Sequence, residues 1–213
     1  MSKSLVAFVF AGLSIASAMP LAAQAPTVSL VAPADVAANP ANRLNIQLSN
    51  GGTVVIQLRP DVAPQNVYRI QQLTSSGFYN GLSFHRVISG FMAQGGDPEG
   101  TGAGGSKLPD VPAEFNALPH MRGAMAMARS ENPDSANSQF YIMLSADLSI
   151  DRKYTVIGRV VSGMDAVDRI AVGEPPASPT TIVRAWLDGP LPAPAQTAAP
   201  AAESPKPEAE PAQ

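Results

Sequence analysis

Arg86 sits within Phe84-His85-Arg86-Val87-Ile88-Ser89-Gly90-Phe91-Met92-Ala93-Gln94-Gly95-Gly96-Asp97, one guanidinium among apolar and amide side chains with no thiol and no second histidine. Hydrolysis or metal catalysis needs more nucleophilic, basic or ligating partners than this run supplies. A fixed cation beside Phe91, Met92 and Gln94 suits a reaction in which no covalent bond breaks. An apolar group is gripped while a neighbouring carbonyl or nitrogen is hydrogen-bonded, and rotation about an X-Pro peptide bond is such a process. Taken alone, Arg86 also has a plainer reading as a surface arginine paired with a carboxylate, and exposed pairs contribute little.

Together with Met127-Ala128-Arg129 and Ser138-Gln139-Phe140-Tyr141-Ile142, this run closely resembles the cyclophilin-type peptidyl-prolyl isomerases, over about residues 43–188. Gly77-Phe78-Tyr79-Asn80-Gly81, Gly100-Thr101-Gly102 and Val156-Ile157-Gly158-Arg159-Val160 follow the family order as well. The resemblance implies that Arg86 is the catalytic residue and that Phe91, Met92, Tyr141 and Ile150 line a proline pocket. Without it, ordinary core is the default for such apolar residues. It further implies that Gln94 orients the substrate backbone and the arginine, and that Ala128 and Arg129 form an edge meeting the peptide through main-chain groups. By the same resemblance Gln139 is expected to line the groove and Tyr154 to stand at its rim. The implied activity is X-Pro isomerisation in folding proteins without a cofactor or metal, on proline-containing polypeptides, by a monomer. A proline-binding module or chaperone with little turnover is the alternative.

Three positions depart from the family pattern. Tyr141 replaces a frequent Phe, so its hydroxyl needs a partner at the pocket rim. Tyr154 stands where a histidine is frequent, and Ser149 stands where eukaryotic members often carry tryptophan. The single Trp, Trp186, lies elsewhere.

Two further patterns carry no chemistry of their own. Gly100-x-Gly102-x-x-Gly105 matches a dinucleotide fingerprint as a string, but it follows Asp97-Pro98 and precedes Lys107-Leu108-Pro109, without the required strand and helix. His85 and His120 are far apart in sequence and lack a third ligand, so both are expected to be hydrogen-bonded structural histidines.

The elements that must position these residues are mostly β. Residues 43–48 and 53–58 flank Asn50-Gly51, whose tolerance of positive φ marks a hairpin turn. Pro64 opens a helix with Val67, Ile70 and Leu73 on one face, ending at Ser75-Ser76-Gly77. A second helix is expected over 164–171, capped by Ser162. Short apolar segments at 84–88, 140–144, 155–161 and 181–187, separated by Gly, Pro or Asn, favour an antiparallel sheet closed on itself. The resemblance specifies the architecture as a closed eight-stranded antiparallel β-barrel with two capping α-helices and the active groove on its outer face.

At 213 residues the chain can hold one full domain with extensions. Residues 1–23 read as a secretory signal, with Lys3, the apolar run 5–15 and small residues giving cleavage somewhere after Ala18 to Ala25. An exported, periplasmic location is expected, with no stable membrane insertion after the signal is removed, since the run is short for a span; an uncleaved N-terminal anchor is the alternative. Residues 24–42 read as a leader or spacer and 43–188 as the domain. Residues 189–213, rich in Pro and Ala, read as a tail too poor in bulky apolar groups to order. Cysteine is absent, which rules out disulfides and thiolate chemistry. The domain carries 12 Lys and Arg against 13 Asp and Glu, a net of −1, with no basic run, so nucleic acid is set aside as a partner.

Overall fold

The computed structural model describes residues 29–192. The expected signal, and the tail beyond residue 192, lie outside them. Eight strands form one antiparallel sheet: β1 (Arg43–Leu48), β2 (Thr53–Leu58), β3 (Phe84–Ile88), β4 (Met92–Gly95), β5 (Ala124–Met127), β6 (Phe140–Met143), β7 (Val156–Ser162) and β8 (Ile182–Leu187). The spatial order is β3-β4-β6-β5-β7-β2-β1-β8. The hairpin of β1 and β2 forms as expected, and Gly51 supplies the positive φ of its turn at 86°.

The expected closed barrel needs correction. The sheet curls, but its edge strands β3 and β8 share no regular ladder. Among the described residues only a short seam joins them: a Ser83–Thr181 bridge and backbone bonds from Gly81 to Ile182, Phe84 to Thr180 and Ile182 to Leu82, at 2.7–2.9 Å. These bonds use residues at or just beyond the strand ends, so the ring of strands stays open while its edges are stitched.

Alternation along the strands sorts side chains to two faces. Phe140 and Ile142 of β6 and Met125 and Met127 of β5 enter the inner core with Leu44, Ile46, Ile56, Leu58 and Phe84. Their neighbours Tyr141, Met143, Ala124 and Ala126 form a second apolar cluster with Met92, against which Phe91, Ile150 and Tyr154 pack. This outer layer is where the expected groove residues gather.

Helix α2 (Pro64–Ser75) begins with Pro at its first position and buries Val67, Ile70 and Leu73. No side chain of its own caps it. Glu114 does so from a distant loop, accepting from the N–H groups of Gln65 and Asn66 at 3.1 and 2.9 Å, where the helix dipole favours an anion. Helix α3 is shorter than expected, Met164–Asp168, and its N-cap is Gly163 with φ 82°, since Ser162 is still part of β7. The left-handed turn at Gly163 is what lets the chain leave β7 and start a helix without a side-chain cap. Among the described residues no helix is long and apolar enough to cross a membrane.

The described part of the expected spacer is built into the domain. Helix α1 (Ala34–Ala38) and a 3-10 turn at Pro40–Asn42 bury Val36, Ala41 and Asn42. Gln71 donates to the Ala41 carbonyl at 2.9 Å and Asn42 to the Val36 carbonyl at 3.0 Å. Arg59, buried and bidentate to Asp61, also donates to the Ser29 carbonyl at 2.9 Å. Composition alone missed these polar anchors. At the other end a Cβ on Gly189 would stand 2.8 Å from Pro40 Cγ, so the backbone there runs close against the Pro40 turn.

Candidate active site

Register assembles the site. Arg86 of β3 pairs with Gln94 of β4, Gln94 with Tyr141 of β6, and Tyr141 with Ala126 of β5, which puts one row of side chains across the outer face. Met92 lies two residues from Gln94, beside Ile88 and Met143. A register shift between Phe84 and Arg86 inserts an extra residue in β3. This bulge lets both Phe84 and Val87 enter the core while Arg86 faces outward, which strict alternation from Phe84 would forbid.

The resulting cleft has a volume of about 810 Å³. Its walls include Arg86, Phe91, Met92, Gln94, Ala128, Arg129, Tyr141, Ile150 and Tyr154, nine of the ten expected site residues. Gln139 lies in the adjoining cleft, which it shares with Gln94, Ala128 and Arg129. Ser149 is exposed beside Ile150 and does not line the main cleft.

An amide relay holds the polar side. Gln94 Nε2 donates to Gln139 Oε1 at 2.8 Å, and Gln139 Nε2 donates to the carbonyls of Gly102 and Gly104 at 3.0 and 2.8 Å. The Gly100–Gly105 segment is thus a cleft wall wrapped around a buried carboxylate. Asp97 accepts from the N–H groups of Glu99, Thr101, Gly102 and Gly104. Burial pulls the Asp97 carboxyl up, but these four donors together outweigh it and leave it below the ordinary carboxylate range. A depressed carboxyl stabilises the fold fully above its unfolded value, about pH 3.9, and loses that contribution as pH falls through the folded value. Replacing Asp97 by Asn keeps the size but turns one acceptor into a donor facing N–H groups. We expect Asp97→Asn to cost about 1.5 kcal/mol in denaturant unfolding at pH 7, and unchanged stability would show that the loop is held otherwise.

The expectation that Gln94 orients the arginine is not what the hydrogen bonds show. Arg86 Nε instead donates to Glu174 Oε2 at 2.7 Å, a partner 88 residues away that sequence reasoning missed. Among the described residues the two terminal amino groups of Arg86 make no hydrogen bond, so they are available to a ligand in the cleft. At the opposite edge, Arg129 is tied by its guanidinium to the carbonyls of Ser130, Glu131 and Lys153 and lies over the Tyr154 ring, 4.8 Å from its centroid. Ala128 gives its N–H to the Gln139 carbonyl at 3.0 Å, which leaves its own carbonyl to meet a peptide.

The aromatic floor is stacked. Tyr141 lies parallel to His120, with centroids 6.1 Å apart, and edge-on to Tyr154 at 5.9 Å. His120 is fully buried and its Nδ1 is 2.8 Å from Asp151 Oδ1, so it is a structural histidine as expected. His85 differs: it is buried with neither ring nitrogen hydrogen-bonded among the described residues. Burial, opposed by Asp97 and assisted by Arg86, lowers its pKa and so favours the neutral ring. The Tyr141 hydroxyl, expected to find a rim partner, is buried without one among the described residues, and burial pushes its phenol up. Tyr141→Phe should therefore leave folding stability unchanged or raise it by up to about 1 kcal/mol, because no bonded group is lost. A lower unfolding midpoint would show that the hydroxyl is satisfied in solution.

Comparison with known proteins agrees with this geometry. Residues 43–186 match the family described as Cyclophilin type peptidyl-prolyl cis-trans isomerase/CLD. A probable peptidyl-prolyl cis-trans isomerase of Brucella suis is 50% identical over 148 residues, covering 64% of this chain and 75% of that protein. The human peptidyl-prolyl cis-trans isomerase-like 1 is 35% identical over 147 residues, covering 65% and 88%. Among solved structures, the cyclophilin AquaCyp293 from Hirschia baltica superposes with a TM-score of 0.65 at 30% identity, covering 70% of this chain and 74% of that one. The chain belongs to the cyclophilin-type peptidyl-prolyl cis-trans isomerases.

Proposed function

We propose that this isomerase accelerates X-Pro rotation in exported, folding polypeptides, with Arg86 hydrogen-bonding to the twisted prolyl amide in an apolar pocket. The observation that carries the mechanism is the cleft in which the free end of the Arg86 guanidinium meets Phe91, Met92, Tyr141 and Ile150. Export rests on the sequence of residues 1–23 alone.

Peptide rotation has a barrier of about 18–20 kcal/mol, and X-Pro bonds turn over roughly 10–100 s unaided. Twisting withdraws the nitrogen lone pair from resonance with the carbonyl. The nitrogen becomes pyramidal and able to accept a hydrogen bond, which a guanidinium can donate there or to the prolyl carbonyl. No covalent bond breaks and no proton is transferred.

A millionfold acceleration needs about 8 kcal/mol, whereas one charged hydrogen bond supplies about 1.5–3 kcal/mol. The rest must come from a cleft that fits the twisted amide better than either planar isomer. Phe91, Met92, Tyr141 and Ile150 hold the ring and exclude water. Exclusion itself helps, because the planar amide is the more dipolar state. Gln94, fixed through Gln139, offers a polar contact to the backbone, and the Ala128 carbonyl can pair with it without reading side chains.

Protease-coupled isomerisation of a short X-Pro peptide by the purified protein tests this. Catalytic turnover supports the enzyme, while tight peptide binding with no acceleration would establish the proline-binding alternative.

A further inference from the structure

The loop between α3 and β8 brings into the cleft a carboxylate that the family resemblance did not supply. Gly173 exchanges two backbone hydrogen bonds with Val87, at 2.8 and 3.0 Å, so the loop is sewn to β3 one residue beyond Arg86. A Cβ on Gly173 would stand 2.5 Å from the Cα of Pro176, so the chain folds back on itself here with no room for a side chain. Glu174 follows directly and reaches Arg86, and both Glu174 and Pro175 form part of the cleft wall. The side chains of the pair are 43% and 51% exposed, so its contribution to folding is small. Its position matters more, because it puts a negative charge against the one cation assigned to the reacting amide.

We propose that Glu174 sets the enzyme's charge preference for the residue that follows the substrate proline, offsetting the attraction of Arg86 for acidic side chains and favouring Lys or Arg. This inference rests on the role given to Arg86 above. In that role Arg86 meets the prolyl nitrogen or carbonyl, and the prolyl carbonyl leads directly to the following residue. Ala128 and Arg129 form the opposite edge of the cleft. A carboxylate bonded to Nε of Arg86 at 2.7 Å therefore stands within reach of the side chain that follows a proline held by that guanidinium. It also fixes the guanidinium by that edge, leaving both terminal amino groups for the substrate, so Glu174 acts as a positioning residue for Arg86.

The test compares peptides that differ only in Lys or Glu after the proline, each assayed for kcat/KM with the full protein. Glu174→Gln should lower the Lys-to-Glu ratio of kcat/KM by about two- to fivefold, the range of a partly screened surface charge, and Glu174→Lys should lower it further. The change should fall mainly in KM, since the charge is met in the ground and transition states alike. About 1 M salt should shrink the difference between wild type and variant. A merely structural role would slow both peptides equally and leave the ratio alone. If Glu174→Gln keeps the wild-type ratio while Arg86→Ala is slow, the inference fails and the role of Arg86 stands. If Arg86→Ala turns over normally, both fail.

Discussion

Arg86→Ala should lower kcat/KM by at least about tenfold and as much as about a hundredfold, the range that corresponds to the roughly 1.5–3 kcal/mol of a charged hydrogen bond. The fold should survive, because Arg86 projects from the outer face of β3 and its ion pair with Glu174 is half exposed. Thermal midpoints of variant and wild type should agree within a few degrees. Arg86→Lys should recover little of the lost rate. A lysine ammonium can meet Glu174 or the substrate amide, but it lacks the planar fork with which arginine holds one partner through Nε and another through its terminal groups. A correctly folded Arg86→Ala protein with wild-type turnover would remove the arginine from the mechanism and leave catalysis to pocket shape alone.

The sequence revealed those parts of the molecule where local pattern and tertiary demand coincide. The β1–β2 hairpin was legible because Asn50-Gly51 separates two runs that return on each other, and α2 was legible because Pro64 and the spacing of Val67, Ile70 and Leu73 agree. Strands β4 and β5 carried no such signal. Met92–Gly95 and Ala124–Met127 are four residues each, and the apolar outer cluster covers the face that alternation would leave polar. The bulge at His85 was hidden as well, since nothing in Phe84-His85-Arg86-Val87 announces an extra residue, yet it decides which way Arg86 points. The site residues were legible through family motifs and not through physics, because Tyr141 alternates into the cleft only once its strand and register are known. Glu174 escaped altogether. A lone acid in a Pro-rich loop is commonplace, and its value depends on a Gly173–Val87 bridge that links segments 86 residues apart.

Cyclosporin, a large and mostly apolar ring, should bind this protein at least about thirtyfold more weakly than it binds a family member with tryptophan at the position of Ser149, while peptide turnover is retained. An aromatic anchor at an interface can be worth about 2 kcal/mol or more, which sets that factor. Ser149 lies in the 3-10 turn Leu148–Ile150, exposed at the edge of the groove next to the cleft residue Ile150. Its side chain is turned inward to its own turn: Oγ donates to Asp147 Oδ1 at 2.6 Å, and its N–H donates to the same oxygen at 3.0 Å. It therefore offers a ligand neither an apolar face nor an indole donor. Turnover is expected to persist, because Phe91, Met92 and Tyr141 stand on or beside β4 and β6, outside this turn. Ser149→Trp should recover much of the drug affinity, though the turn loses its hydroxyl bond to Asp147 and keeps only the backbone bond. Titration of cyclosporin into the peptide assay of both proteins measures the difference. Nanomolar inhibition of the wild-type protein would show that its remaining contacts hold the ring without the tryptophan, and that the weight given to this turn is wrong.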